Sequence, residues 1–191
     1  MESKRIEGTY MNNPTYDRWF ATLSAAQQAK ASELVSILRA LNADDPESWA
    51  QSEISEDIPQ LARFLALRRI WPEYIDSWTR EPDRWVMQSV NGAGNDPQGD
   101  FADAGAALKR MTERGVSPAD IAAVARMVAY ETAFAVLDHI DEGYDPDAPE
   151  DAPGWLLMET RADGRTTGRH VRGLHESIHT MDPSARNGQP E

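Results

Sequence analysis

The sequence predicts a mainly α fold: a single helical domain of about seven helices, closed by a small C-terminal β-hairpin and a final short helix. Three observations predict it. Apolar residues recur at intervals of three and four through the first three quarters of the chain. Ser, Asp or Asn precedes Pro or an apolar run where those segments begin, the signature of capped helices. Only beyond residue 154 does the pattern change, to a β-like run and an Asp-Gly turn.

The elements follow in order. Asn13-Pro14 opens a short helix that carries Tyr16, Trp19 and Phe20. Ser24 and Gln27 form a capping box for a helix over 25–41, with Leu34, Ile37, Leu38 and Leu41 on its apolar face. Asp45-Pro46 starts another around Trp49. Ser55 is expected to cap the next, with Pro59 tolerated in its first turn and Ile58, Leu61 and Leu65 facing inward. Pro72 breaks or kinks the chain, and Pro82 separates further short helices. Trp71, Trp78 and Trp85, spaced seven apart, are expected to fill the core because tryptophan is large and mostly buried.

Residues 91–99, NGAGNDPQG, read as a mobile loop. A helix over 100–114 ends at Gly115, and Ser117-Pro118 restarts the chain with an N-cap and a proline in the first turn. The helix over 118–142 has the broadest apolar face and is expected to be the central, most buried one. Residues 143–154 hold three prolines and four acids and read as an acidic linker. Trp155–Met158 then reads as a strand and Asp163-Gly164 as the hairpin turn. Val171, Leu174, Ile178 and Met181 mark the final helix. The domain reading is a helical core over 1–154, with the hairpin and helix of 155–191 packed on it.

Composition bounds the function. The chain has 191 residues, no cysteine, and 32 acids against 19 bases, a formal charge of −13. Disulfides and thiolate chemistry are excluded, and the absence of cysteine fits a reducing compartment. No apolar run approaches membrane-spanning length and the N-terminus has no signal-like stretch, so the expected location is cytoplasmic, without a membrane partner. Only three of the bases are lysines, a bias that fits a GC-rich, bacterial genome. Duplex nucleic acid is disfavoured because a binder must neutralise phosphates. Oligomeric state is left open.

The acidity is local. Residues 155–191 sum to zero and 1–40 to +1, so the excess lies between. Asp44, Asp45, Glu47, Glu53, Glu56 and Asp57 make one run without Lys or Arg, and Asp138, Asp141, Glu142, Asp145, Asp147, Glu150 and Asp151 make another. Together they suggest an acidic, immunity-like interaction module that binds and inhibits or regulates a basic protein, with these acids as contacts and no cofactor.

Two other features bear on chemistry. Glu131 falls between Met127 and Phe134 on the apolar side of its helix, where a buried carboxylate needs a partner such as Arg68, Arg69 or Arg126. His175-Glu176-Ser177-Ile178-His179 matches H-E-x-x-H and resembles the zinc-binding helix of the zincin metalloproteases. The resemblance implies a zinc-dependent hydrolase with His175 and His179 as metal ligands and Glu176 as general base. It covers five residues. No histidine follows it, so a third ligand would come from His139, His170, Glu159 or Glu131. A third reading is a structural subunit with its interface in the Trp-rich middle. The sequence points away from an enzyme, because no complete site accompanies the motif.

Overall fold

The computed structural model describes residues 13–183. Among them the fold is mainly α with one two-stranded antiparallel sheet. The compact units divide between Ala62 and Arg63, and not at the acidic segment 143–154. The polar tail from Ser184 lies outside the described residues.

In the first unit, α1 (Pro14–Phe20), α2 (Ala25–Ala40) and α3 (Pro46–Glu56) follow the predicted punctuation closely. Asn13 accepts amides of the first turn of α1, Ser24 and Gln27 form the reciprocal capping box, and Asp45 accepts the Ser48 amide at the start of α3. Leu34, Val35 and Ala50 form the core, with Tyr16, Ile54 and Leu61 against it. Ser55 caps nothing; its hydroxyl accepts the Trp19 indole N–H at 3.1 Å. α3 instead ends at Asp57 in the left-handed region, and α4 (Gln60–Leu67) begins only after Pro59. A proline in the first turn of a continuous helix is tolerable, but here the chain turns before it.

The second unit is built around α8 (Pro118–Glu142), 25 residues long over the predicted range, begun by the predicted Ser117 N-cap and closed by Gly143 at φ +76°. Before it come a π-helical turn at Trp71–Ile75, α5 (Ser77–Arg80), α6 (Pro82–Asn95) and α7 (Ala102–Glu113). The expected loop at 91–99 is therefore helical for its first half. Gly92 and Gly94 sit within α6, and Gly105 of α7 lies so close that a Cβ there would fall 2.4 Å from the Ser89 carbonyl oxygen. Close helix packing, not turn formation, uses that glycine.

After α8 the acidic segment loops out and returns. The Trp155 amide donates to the Gly143 carbonyl at 2.8 Å, which closes the neck of a loop over 143–154. β1 (Met158–Thr160) and β2 (Thr166–His170) form the predicted hairpin, shorter than the strand expected from Trp155 onward. Arg169 grips Glu159 with two nitrogens at 2.8 and 2.6 Å, and the Thr167 hydroxyl donates to the same carboxylate. The final helix is also shorter than predicted. α9 spans only Leu174–Ser177, followed by a 3-10 turn at His179–Met181. The spacing of Leu174, Ile178 and Met181 was helical in period, but the hydrogen bonding tightens after one turn.

Candidate interaction surface

α8 has two opposed faces, and their roles are the reverse of what its sequence suggests. One face carries Tyr130, Phe134, Asp138 and Asp141, at intervals of four, four and three, and is covered by the chain's C-terminal segment. Trp71 is buried (1% exposed) between this face and that segment, with its ring 5.6 Å from Tyr130 and its indole N–H donating to the Ile178 carbonyl. Arg126 stands over the same indole and pairs with Asp76 at 2.6 Å. Lower down, Asp141 accepts both the backbone N–H of His175 at 3.2 Å and its ring Nδ1 at 2.7 Å. Phe134 meets the His175 ring edge-on, and the Tyr130 hydroxyl contacts Nε2 of His179. Burial first, and the negative charge of Glu131 second, push the Tyr130 hydroxyl above its ordinary pKa of 10.0.

Arg63 fixes the same segment from another side. Its guanidinium, buried, donates to the Gly173 carbonyl at 2.6 Å and to the Ser177 hydroxyl at 2.7 Å. The second carboxylate oxygen of Asp141, Oδ1, is buried and receives no hydrogen bond among the described residues, a cost set against the two bonds to Oδ2.

This arrangement separates the residues of the H-E-x-x-H fragment. α9 ends at Ser177, so His175 and His179 do not share one continuous helix face. His175 turns to Asp141, with Asp138 3.6 Å from Nε2, whereas His179 turns to Tyr130. Glu176 is exposed. The proposed third ligands are elsewhere occupied: His139 packs its ring 4.9 Å from that of Trp155 and lies 4.0 Å from Glu142, Glu159 is held by Arg169, and His170 contacts Arg172. Glu131 is exposed and corrects the expectation of a buried carboxylate. It lies one position beyond Tyr130, at the edge of the covered face, and Arg126 is paired with Asp76 instead. Among the described residues no three His, Asp or Glu side chains are gathered where they could share a metal ion.

The acidic runs also sort differently than as one patch. In the first unit Glu53 is 3% exposed. It accepts the Leu61 amide at 2.9 Å, capping the start of α4, and stands 3.7 Å from Lys30. Its carboxylate serves the fold by holding the start of α4. Glu47 pairs with Arg39 and Asp45 caps α3. Asp44, Glu56 and Asp57 are exposed. In the second unit Asp141 is committed to His175, while Glu142, Asp145, Asp147, Glu150 and Asp151 remain exposed at and beyond the C-terminal end of α8.

The opposite face of α8 is apolar and bare. Val124, Val128 and Val136 are 58, 53 and 53% exposed. They floor a groove of about 940 Å³ whose other wall comes from Tyr74, Trp78, Trp85, Leu108 and Met111. None of the seventeen residues lining it is charged. The two tryptophans meet edge-on at 5.4 Å. Their indole N–H groups are used internally, Trp78 donating to the Tyr74 carbonyl at 3.1 Å and Trp85 to the Trp78 carbonyl at 2.8 Å. So Trp71 fills the core as expected, but Trp78 and Trp85 form a wall. The expectation that α8 is the most buried helix fails for the same reason: of its residues only Ile121, Ala122 and Leu137 are buried.

Sequence reasoning missed the groove because it assumed that every helical apolar residue faces the interior. One signal pointed to it. The apolar positions of α8 cover more of its circumference than one packed interface uses, since Met127, Phe134 and Leu137 widen the stripe of Ile121, Val124 and Val128.

No helix among the described residues is long and apolar enough to cross a membrane. Comparison with protein-family models, curated proteins and solved structures gave no match.

Proposed function

We propose that this chain is a non-catalytic protein-interaction module that binds a basic partner through the groove on α8 and the acidic loop at the end of that helix. One observation carries the reading: a continuous apolar surface with half-exposed valines and two tryptophans, on a protein otherwise rich in charge. A concave, almost wholly apolar surface with polar residues beyond its ends is the usual form of a binding groove. Charge gives the partner its sign. The apolar stripe ends at Leu137, and the chain continues directly into exposed Glu142, Asp145, Asp147, Glu150 and Asp151, at the negative end of the helix dipole. This reading keeps the basic partner inferred from composition and moves the main contact from the acids to the groove. Inhibition or regulation of that partner would follow if the groove covers its working surface.

A photocrosslinking amino acid at position 128, introduced in cells that make the protein, tests it. The expected result is a discrete adduct with a basic protein, lost when Val124→Asp and Val136→Asp are added and absent when the crosslinker stands at position 123. Equal crosslinking from positions 123 and 128 would overturn the reading.

A further inference from the structure

We infer that the occupant of this groove is an amphipathic α-helix, about four turns long, with Lys or Arg at the end that lies over the acidic loop; the inference rests on the interaction reading above. The first ground is hydrogen bonding. An extended segment docks by adding its backbone to an exposed sheet edge, but the walls here are helices whose amides are already paired within them. The two indole N–H groups that could have served are donated to Trp78 and Tyr74 carbonyls inside the wall. Apart from the Tyr74 hydroxyl and Thr132, the lining offers no polar side-chain atom to a ligand. A peptide entering it must satisfy its own N–H and C=O groups, and a helix is the form that does so.

The second ground is dimension. The floor runs from Ile121 to Leu137 along one straight helix, about 24 Å at 1.5 Å per residue. A parallel or antiparallel partner helix needs about 16 residues to match that length, with apolar residues three and four apart to meet the valine rows. The third is electrostatic. A second copy of this chain would bring 22 acids per unit of 63–191, against 14 bases, toward an equally acidic surface, and its own groove is concave where a convex filler is needed. A phospholipid surface with anionic headgroups would be repelled in the same way. A basic-ended helix is attracted.

The test displaces a neutral apolar dye, Nile red, from the purified full chain. The probe is a synthetic peptide of about 18 residues with Leu at helical spacing and a cluster of Lys at one end. Two controls accompany it, one with the Lys cluster replaced by Glu and one of the same composition with two central prolines. The basic helical peptide is expected to displace the dye. The Glu-ended and proline peptides should be weaker by about tenfold or more, as should the basic peptide against Val128→Asp/Val136→Asp. Raising salt from low to physiological strength should weaken the basic peptide by about threefold. Equal displacement by the helical and proline peptides would overturn the helix, and equal displacement by Lys- and Glu-ended peptides would overturn the basic end. A dimer in sedimentation that excludes the dye would replace the partner with a second copy. Failure of the dye itself to bind would sink the groove reading, and so is distinguishable from failure of the helix alone. Val128→Thr/Val136→Thr, which keeps shape and adds no charge, guards against misfolding of the Asp pair: it should weaken the basic peptide while the circular dichroism spectrum is unchanged.

Discussion

The two faces of α8 differ in a way that hydropathy alone does not anticipate. The face bearing Tyr130, Asp138 and Asp141 is the one the protein covers, with Trp71, His175 and His179, whereas the face bearing Val124, Val128 and Val136 is left open. The polar side chains of the covered face are paired with named partners except at Asp141 Oδ1, and that pairing, more than apolarity, fixes the C-terminal segment to the helix. The valine face is apolar but has no element of this chain to cover it. A helix that is apolar around most of its circumference thus serves two interfaces, one inside the chain and one outside it. Mutations should therefore be costly on the first face and silent for stability on the second.

The largest contrast is expected at Trp71. Truncation to Ala removes an almost fully buried indole that touches Tyr130 and hydrogen-bonds Ile178, and it should destabilise the second unit by about 3–5 kcal/mol in denaturant unfolding. Trp78→Ala, in the groove wall, should cost clearly less, since that ring is 38% exposed. Equal losses would mean that the groove wall is part of the core and that the two faces do not differ.

Asp141→Ala tests the polar half of the covered face. It strands the His175 amide and Nδ1 in a largely buried site, a loss of about 1–3 kcal/mol, with faster amide exchange over 174–181. Asp138→Ala, whose carboxylate is half exposed and 3.6 Å from the same ring, should change stability by less than about 0.5 kcal/mol. If the two variants behave alike, the clamp is a general acidic effect and not the directed pair at Asp141.

A smaller signature lies in alkaline solution. Tyr130 holds its proton more tightly in the folded protein than in the unfolded chain, chiefly through burial and then through Glu131. Below the ordinary pKa of about 10 both states are protonated and the contribution is full; as pH rises past it the unfolded chain loses its proton first, and stability falls until the folded hydroxyl also ionises. Tyr130→Phe should flatten that decline relative to the wild type. Tyr16, raised by its own burial, supplies a separate alkaline loss in the first unit, so the difference between the two proteins is the quantity to follow.

How much of this was legible in the sequence depends on the range of the interaction. Asn13, Ser24, Asp45 and Ser117 act within three residues of their own position, and each helix start they mark is where the structure has it. Gly115 and the Asp163-Gly164 turn are equally local. Ser55 was misread because its partner, Trp19, lies 36 residues away, and the Leu61 amide that Glu53 accepts is 8 residues on. The contacts of His175 and His179 in the H-E-x-x-H fragment are beyond any local pattern for the same reason: their partners Asp141 and Tyr130 lie 34 and 49 residues distant. The groove is a still longer-range property, since no spacing within α8 reveals whether a neighbour stands over Val128.

Substitution of valine by threonine gives the smallest expected effect and the sharpest measure of that last property. The two side chains share shape, but threonine adds a hydroxyl that is harmless in water and costs about 1–3 kcal/mol when buried without a partner. Val35 and Val86, both nearly fully buried, should show that cost as threonine. Val128→Thr and Val136→Thr, separately or together, should leave unfolding of the isolated protein within about 0.5 kcal/mol of the wild type. A cost at 128 and 136 as large as at 35 and 86 would show that the chain itself closes the groove in solution. A cost that emerges only when the basic helical peptide is present, as a loss of its stabilising shift in Tm, would place the burial of both valines in the complex.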